Sequence, residues 1–404
     1  MKRYDYAVIG AGIIGLTIAL ELKRRYPGSE VVVIEKEADA ACHASGRNSG
    51  VLHAGFYYTA NSLKARFARD GNAAMRRYCE SRGLSVNPCG KLVVASDERE
   101  LEGLEELKRR GDANGVELHW LSEEEARAFE PNVRTFRKAL FSPNTVTVDP
   151  LEVCLSMKRE AAELGVEFHF NAKYEGRTDE GIRTGKGPIR AEYIVNAAGL
   201  YADRIARDYG FGTRYTIIPF KGMYVKYTKN KTDIRTNVYP VPDLANPFLG
   251  VHYTKTADGG IKIGPTAIPA FWREQYRGFS RFSLGECLSI LYYEAKLFVT
   301  DSFHFRRLAF QELRKYAKAH LVRLSTKLAN VDPQGFGPFL RPGIRAQLLD
   351  TRTLELVQDF VVEGDARSMH VLNAVSPAFT CSIPFAAHVV DTIEASRNAF
   401  GPER

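Results

Sequence analysis

The sequence has 404 residues, of which 45% are hydrophobic and 26% charged, and its formal net charge is +8. The composition is that of an ordinary globular protein, and the length exceeds what one simple core needs and suits two connected domains. The positive charge suits an anionic substrate or lipid surface, and we expect no nucleic-acid partner because no Lys/Arg-rich tail, zinc spacing or RNA-binding signature accompanies it.

The first thirty-five residues predict a strand, a glycine-rich turn, a helix at about residues 13–26 and a second strand. The turn reads Gly10-x-Gly12-x-x-Gly15, and Glu35 follows the last glycine by twenty positions. Glycines at this spacing let backbone N–H groups reach a pyrophosphate at the helix N-terminus, and the acid accepts ribose hydroxyls. We expect this segment to bind a dinucleotide through Gly10, Gly12, Ile13, Ile14, Gly15, Glu35 and Lys36.

The later elements predict that the nucleotide domain is interrupted twice by a second domain. The predicted elements of the second domain are an isolated strand at 89–95, a helix at 98–115, antiparallel strands from residue 216 and helices at 283–298 and 305–328. The later elements of the nucleotide domain are a helix at 149–164, strands at 165–170, 191–199 and 369–374, and a closing helix at 383–396. This layout is typical of a flavoprotein that keeps its FAD.

The predicted fold is therefore α/β, with a Rossmann-like FAD-binding domain and an interleaved α+β substrate domain built on an antiparallel sheet. We assign residues 1–86, 141–215 and 331–404 to the FAD-binding domain. Residues 87–140 and 216–330 form the predicted substrate-binding domain.

Longer strings extend along the whole chain. They are Ser45-Gly-Arg-Asn-Ser-Gly-Val-Leu-His-Ala-Gly-Phe-Tyr-Tyr58, Cys89-Gly-Lys-Leu-Val-Val-Ala95, Val238-Tyr-Pro-Val-Pro-Asp243, Phe248-Leu-Gly-Val-His-Tyr-Thr254 and Gly343-Ile-Arg-Ala-Gln347. With the glycine fingerprint, they resemble the L-2-hydroxyglutarate dehydrogenases/oxidases, a family of the D-amino-acid-oxidase-like flavoproteins. One departure is Arg47, where the family motif has histidine, so a fixed cation replaces a titrating group.

The resemblance implies oxidation of L-2-hydroxyglutarate to 2-oxoglutarate, with hydride transfer from the α carbon to N5 of a non-covalent FAD. Electrons would then pass to quinone or to O2. Two alternatives stay open: another oxidase or dehydrogenase of the superfamily, acting on an amino acid such as glycine or on glycerol-3-phosphate, and a non-catalytic flavin-bound membrane-associated protein. For Cys381 and His43 we favour structural roles over a covalent flavin link.

Further flavin contacts are expected in three segments. A loop rich in small and hydroxyl residues offers backbone N–H groups, a strand ends in small residues, and the N-terminus of the last helix can stabilise negative charge on the flavin. The expected residues are Ser45, Arg47, Asn48, Ser49, Gly50, Ala198, Gly199, Ser376, Pro377, Ala378, Phe379 and Thr380.

Oxidation of a 2-hydroxy acid needs a cation for its carboxylate and a base for its hydroxyl proton. Arg345 is the expected carboxylate clamp, because a guanidinium pairs bidentately with a carboxylate and the family's Gly-x-Arg arginine does so. His53 is the expected base, with His252 as the alternative base or as a substrate ligand. The distal carboxylate of a five-carbon diacid is left to four candidates, Lys221, Arg273, Tyr253 and Tyr57.

We expect a cytoplasmic protein, because the segment before the first strand has no signal-peptide pattern and the six cysteines show neither C-x-x-C pairs nor metal-ligand spacing. Residues 305–328 carry seven basic residues and one acid, with apolar residues at helical spacing. Such a helix either packs on its own domain or docks peripherally on an anionic inner-membrane leaflet, where quinone would accept electrons. The oligomeric state is left open.

Overall fold

The computed structural model describes residues 2–60, 62–242 and 250–399. Its α-helices within these ranges are α1 (Ile13–Arg25), α2 (Leu63–Ser81), α3 (Glu98–Ala113), α4 (Glu123–Phe129), α5 (Pro150–Glu163), α6 (Ala202–Arg207), α7 (Leu284–Thr300), α8 (Phe305–Leu313), α9 (Lys318–Ser325) and α10 (Ala378–Ala399).

The strands in the same ranges are β1 (Arg3–Ile9), β2 (Val31–Ile34), β3 (Val51–Leu52), β4 (Val86–Asn87), β5 (Lys91–Val94), β6 (His119–Ser122), β7 (Lys138–Ser142), β8 (Val146–Val148), β9 (Glu167–His169), β10 (Tyr174–Thr178), β11 (Gly181–Thr184), β12 (Gly187–Asn196), β13 (Tyr215–Gly222), β14 (Val225–Tyr227), β15 (Asn237–Pro240), β16 (His252–Lys255), β17 (Ile261–Gly264), β18 (Ile268–Pro269), β19 (Phe336–Phe339), β20 (Gly343–Asp350), β21 (Val361–Gly364) and β22 (Ser368–Asn373).

The chain folds into two compact units. The first comprises the described residues of Met1–Arg47, Pro150–Ile217 and Ala346–Arg404, and the second comprises those of Asn48–Asp149 and Ile218–Arg345. Each unit is therefore assembled from segments that are distant in sequence.

The first unit contains an eight-stranded mixed sheet, in which the five strands β22-β12-β1-β2-β9 are parallel and β10, β11 and β21 are antiparallel to their neighbours. The run Val31–Ile34 is wholly buried, as expected for a parallel strand covered on both faces, and α1 packs against α5 and α10. The carboxyl ends of parallel strands lie at one edge of the sheet, where ligands bind in such folds. The segments that follow β1, β2, β12 and β22 therefore meet at a single edge.

The second unit contains an eight-stranded sheet in the order β19-β14-β17-β16-β15-β5-β7-β6. One face carries the apolar core, including Leu92, Val94, Val238 and Tyr253. Paired residues on neighbouring strands share a face and successive residues alternate. Because Val238 pairs with Tyr253 and with Leu92, the side chains one position away lie together on the opposite face. Those side chains form the candidate site.

The unit boundaries differ from the domain boundaries expected from the sequence at four segments. One is residues 216–217, which were expected in the substrate-binding domain and lie in the first unit. Residues 48–86, 141–149 and 331–345 were expected in the FAD-binding domain but lie in the second unit. The reason is strand pairing: β3 and β4 both pair with β8, and β19 pairs with β14. Whether these segments also serve the cofactor stays a prediction.

Two expected elements need correction. The strand at 89–95 is not isolated, because β5 pairs with β15 and β7. The single amphipathic helix expected at 305–328 is also wrong: α8 ends at Leu313, a 3-10 turn follows, and Ala317 is extended before α9. A buried ion pair between Lys315 and Glu312 lies at this break, so these residues are not part of a solvated basic face.

The closing helix begins at Ala378, five residues before its expected start. The expected strand at 248–254 begins only at His252, and residues 248–249 lie outside the described part of the chain.

Candidate active site

The turn after β1 has room only for glycine at two positions. Gly10 has a φ of +106°, and a Cβ there would lie 2.7 Å from the carbonyl oxygen of Ala197. A Cβ on Gly15 would lie 1.9 Å from the carbonyl oxygen of Gly10. Helix α1 therefore starts directly against the end of β1, and no side chain at Gly10 or Gly15 separates the two.

Two side chains fix the backbone around this turn. Glu35, at the end of β2, accepts hydrogen bonds from the N–H groups of Ala11 (2.9 Å) and Glu37 (2.9 Å). Ser45 accepts one from the N–H of Ile13 at 2.9 Å. The Glu35 carboxylate is half-buried beside the glycine turn, which is where an acceptor for ribose hydroxyls is needed.

The ends of β12 and β22 complete this edge. Asn196 accepts a hydrogen bond from the N–H of Ala198 at 3.2 Å and donates to the carbonyl of Ala202 at 2.8 Å, which orders the small residues before Gly199. The predicted segment Ser376–Thr380 runs directly into the N-terminal turn of α10.

A dinucleotide cofactor fits this cradle. The glycines carry no side chain where phosphates would approach, the N-termini of α1 and α10 follow strands that end at the same edge, and a carboxylate lies beside the turn. Lys36, expected to bind cofactor, pairs with Glu37 and lies 2.8 Å from Nε2 of His43. The predicted cofactor contacts of Lys36 and Arg47 stay predictions.

The loop after Arg47 begins the second unit and is held by local hydrogen bonds. Asn48 accepts from the N–H of Gly50 at 2.8 Å, and Ser49 accepts from the N–H of Val51 at 3.3 Å. These bonds shape the loop that leads to His53, which follows β3.

His53 and Lys91 form the centre of a buried cluster in the second unit. Nζ of Lys91 lies 3.5 Å from Nδ1 of His53, and it lies over the rings of Tyr239 at 4.5 Å, Tyr57 at 4.9 Å and Phe56 at 5.2 Å. Lys91 has no exposed surface, and none of the described carboxylates pairs with it. Aromatic faces partly replace the water that the ammonium has lost.

His252 joins this cluster from β16. Its ring stacks on Tyr239 with centroids 3.6 Å apart and an angle of 14°, and Nδ1 lies 2.9 Å from the carbonyl oxygen of Gly250. Within the described residues, Nε2 of His252 and the hydroxyl of Tyr57 are buried without a hydrogen-bond partner. Such atoms destabilise a fold by about 1–3 kcal/mol each, so they favour a site at which a ligand supplies the missing partner.

Two further cations lie near His252. Arg345 on β20 is half-buried, and its charge acts on His252 and on Tyr224. Lys262 lies on the same sheet face as His252, because it pairs with Thr254 across β16 and β17. Its Nζ lies 3.3 Å from the carbonyl oxygen of Asn48 and 4.8 Å from the ring centroid of Tyr224.

The pKa values in this cluster shift toward neutral forms. Burial, the charge of Lys91 and that of His252 lower the pKa of His53 well below its usual value. Burial lowers the pKa of His252 to about 3, the Gly250 carbonyl opposes the change, and the charges of Lys91, Arg345 and Lys262 add to it. Burial lowers the pKa of Lys91 to about 7 and that of Lys262 to about 8. A bound anion would reverse these shifts, because it favours every charged form.

Three of the predicted substrate ligands have other contacts in the structure, and their roles stay predictions. Tyr253 is on the core face, where its hydroxyl donates to Ser325 at 3.1 Å, so it and the adjacent His252 face opposite sides of the sheet. Lys221 is buried on β13 and lies 3.4 Å from the hydroxyl of Tyr316, and burial lowers its pKa. Arg273 precedes α7, and its backbone N–H donates to Glu286 at 3.1 Å.

Comparison with known proteins decides the family. The sequence profile of the FAD dependent oxidoreductase (DAO) family matches residues 5–392. The chain belongs to this family.

Two relatives of this oxidoreductase are similar along almost their whole length. The L-2-hydroxyglutarate dehydrogenase of Escherichia coli (strain K12) is 36% identical over 400 residues, which cover 97% of this chain and 93% of that protein. The mitochondrial L-2-hydroxyglutarate dehydrogenase of Bos taurus is 36% identical over 417 residues, covering 97% and 89%.

Solved structures confirm the fold of this FAD-dependent oxidoreductase. An L-alpha-glycerophosphate oxidase from Mycoplasma pneumoniae, solved with FAD bound, superposes with a TM-score of 0.77 at 22% identity and covers 98% of this chain and 95% of its own. A glycine oxidase from Geobacillus kaustophilus gives a TM-score of 0.73 at 19% identity, covering 98% and 96%. The expected α/β architecture is confirmed, and at these identities the likeness concerns the fold alone.

Sequence reasoning missed three side chains of the oxidoreductase's buried cluster: Lys91, Tyr239 and Lys262. Lys91 and Tyr239 lie in strings that carried the family resemblance. Lys91 was not chosen because a lysine at the start of a strand is usually solvated. The usable signal is pairing: Asn237 pairs with Lys91, and Thr254 pairs with Lys262. No helix within the described residues is long and apolar enough to cross a membrane.

Proposed function

We propose that this oxidoreductase converts L-2-hydroxyglutarate to 2-oxoglutarate. The observation that carries the proposal is the cationic face around His252, where the charges of the buried Lys91 and the half-buried Arg345 and Lys262 act on its ring. A substrate with two carboxylates matches a site with several cations and orphaned polar atoms, whereas a neutral substrate would leave the buried Lys91, which pairs with none of the described carboxylates, without an anionic partner. The 36% identity to named L-2-hydroxyglutarate dehydrogenases supports the same substrate.

Each residue has a distinct task in this proposal. The guanidinium of Arg345 binds the carboxylate next to the reacting carbon, because its fork matches that group. Lys91 and Lys262 are further candidates for the distal carboxylate, beside Lys221 and Arg273.

His53 takes the hydroxyl proton of the substrate in this proposal. Its lowered pKa keeps the imidazole neutral and able to accept a proton. The negative charge of a bound diacid would raise that pKa toward the working pH, so that the imidazole becomes a stronger base when substrate is present.

The cofactor is FAD held without a covalent bond by the glycine turn, Glu35 and the N-termini of α1 and α10. Oxidation of the alcohol to a ketone removes two electrons and two protons, and bound FAD supplies the two-electron oxidant. Cys381 is fully buried on α10, which agrees with a structural role.

Product formation tests the proposal. The holoenzyme is incubated with L-2-hydroxyglutarate and a soluble dye acceptor, and 2-oxoglutarate is measured alongside dye reduction. L-lactate, which lacks the distal carboxylate, serves as the comparison. We expect kcat/KM for L-2-hydroxyglutarate to exceed that for L-lactate by about 30- to 5,000-fold, since a lost partner of a buried cation costs about 2–5 kcal/mol. Equal values would remove the cationic face from substrate recognition.

A further inference from the structure

Helix α7 presents its apolar side to solvent. The exposed residues Leu284, Leu288, Leu291, Tyr292, Phe298 and Val299 recur at helical spacing, and we call them the outer face of α7. The inward side carries Glu286 and Glu294, both buried, together with Ile290 and Leu297. A surface helix of a globular protein normally has the reverse arrangement. Of the seventeen large apolar side chains that are exposed among the described residues, twelve lie between positions 271 and 316.

An aromatic group extends this apolar surface just before α7. Phe279 is 83% exposed and stacks on the buried ring of Trp272 at 6.1 Å, while Phe282 meets the same ring edge-on at 5.2 Å. Trp272 thus supports two exposed phenylalanines. A rigid aromatic group beside an exposed apolar helix exceeds the scattered single residues of an ordinary surface.

The exposed charges within residues 271–320 have one sign. The five acidic residues between positions 271 and 320 are buried or, for Asp301, half-buried. The exposed cations are Arg277, Lys296, Arg306, Arg307 and Arg314 among others, and we call these five the basic rim. The surface therefore offers apolar and positive groups to solvent and no fully exposed acid among the described residues of this segment.

We propose that the outer face of α7, with Phe279 and Phe282, lies in the interface of an anionic lipid bilayer, and that the basic rim contacts the lipid headgroups. An apolar helix face bordered by Lys and Arg is the pattern of interfacial helices. Each cation near an anionic leaflet adds electrostatic attraction. The apolar contact predicted for 305–328 is thereby assigned to α7, because Phe305, Leu308 and Leu321 are buried in the protein, and that segment contributes arginines to the basic rim.

A second copy of the chain fits this surface poorly. A two-fold contact would bring the two basic rims together across a shared apolar patch, and like charges at short range repel. An anionic leaflet satisfies both the apolar and the charged parts of the surface. The inference is independent of the substrate, since none of these residues belongs to the buried cluster around His252.

Vesicle co-sedimentation tests the inference with the holoenzyme. The probes are vesicles of pure phosphatidylcholine and vesicles containing 40% phosphatidylglycerol. The apolar variant is F279S/L288S/V299S, and its control, F129S/L164S, removes exposed apolar side chains elsewhere. The charge variant is R277E/K296E/R307E, and its control, R77E/R99E/K186E, makes the same change in net charge on distant surfaces. Turnover with a soluble dye confirms that each protein is folded.

We expect wild-type protein and both controls to bind the anionic vesicles and to bind less as salt is added. The apolar and charge variants should each lose about tenfold or more in binding while dye turnover is unchanged. The inference is overturned if wild-type protein stays in the supernatant, or if a variant and its matched control lose binding equally. Light scattering that shows a dimer dissociated by F279S/L288S/V299S would also overturn it, in favour of self-association.

Discussion

The cations of the candidate site lower the stability of the unliganded protein and favour the binding of an anion. Lys91, Lys262 and Arg345 lose solvation in the folded chain, and burial lowers the pKa of each. Such groups destabilise an unliganded protein and become favourable when an anion arrives. Residues kept in spite of that cost are typical of functional sites.

Substitution of Lys91 should separate these effects. In the folded protein its pKa is about 7 and in the unfolded chain near 10.5, so between these values the unfolded state binds more protons and stability rises with pH. We expect K91M to be more stable than wild type by roughly 1–4 kcal/mol below pH 7, where the wild-type penalty is complete, and the gain to fade toward pH 10.5. Urea unfolding at pH 6, 8 and 10 measures this.

The exposed Lys186 provides the control, because K186M should show no such pH-dependent gain. K91M should also raise KM for the diacid, since the site loses a cation. A variant that is destabilised at pH 6, or that keeps the wild-type KM, would contradict the role given to Lys91.

Substitution of Arg345 tests the carboxylate clamp. We expect R345M to lower kcat/KM for L-2-hydroxyglutarate by about 30- to 5,000-fold, which corresponds to the 2–5 kcal/mol lost when one partner of a buried charge pair is removed. Steady-state kinetics with a dye acceptor provides the measurement. R341M, which changes an exposed arginine four residues earlier, should leave kinetics unchanged, and both variants should keep their FAD absorbance. Wild-type kinetics in R345M would remove the clamp.

At the scale of elements, the glycine turn gives the most specific prediction, which concerns FAD binding. G15A would place a Cβ 1.9 Å from the carbonyl oxygen of Gly10, so α1 must move away from β1. We expect purified G15A to lose most of its FAD, at least about tenfold in affinity, because the helix N-terminus would shift from the phosphates. G28A is the matched control, since a Cβ there meets nothing within 4 Å. The flavin-to-protein absorbance ratio measures the fraction of protein that carries FAD. Full FAD occupancy in G15A would contradict the proposed role of the glycine turn in cofactor binding.

Elements with strong periodicity could be predicted from the sequence. The first helix was expected at 13–26 and spans Ile13–Arg25. Periodicity does not show whether an apolar face points to solvent or to the protein interior. The pattern of α7 shows an apolar face, but only the structure shows that this face is exposed and that Glu286 and Glu294 face inward. The break after α8 was missed for a related reason, because the Glu312–Lys315 pair is buried only in the folded chain.

The candidate site was predictable only where residues belong to a strand-turn-helix motif or to a family string. His53, His252 and Arg345 were found in this way. Lys91 was not predicted, because its placement depends on the pairing of β5 with β15 across a long stretch of sequence. Lys262 was also missed, although β16 and β17 form a local hairpin, because its face of the sheet follows from the register of that hairpin. Tyr253 was included and His252 retained, although alternation along a strand allows only one of two neighbours to face the site.

At the scale of the whole molecule, the sequence indicated a discontinuous nucleotide domain, and the chain does return repeatedly to one parallel sheet. The exact boundaries of the two units could not be predicted from the sequence. Residues 48–86 follow the glycine motif in sequence, but the pairing of β3 with β8 assigns them to the second unit. Local sequence carries little information about such non-local pairing.

The central claim is that this FAD-dependent oxidoreductase accepts electrons from a 2-hydroxy diacid of L configuration. An anaerobic titration of the purified yellow protein tests it most directly, with flavin absorbance followed on addition of L-2-hydroxyglutarate, its D enantiomer, glycine and glycerol-3-phosphate in turn. We expect the flavin to bleach with L-2-hydroxyglutarate alone. Bleaching by glycine or glycerol-3-phosphate instead, or no bleaching by L-2-hydroxyglutarate, would contradict the claim.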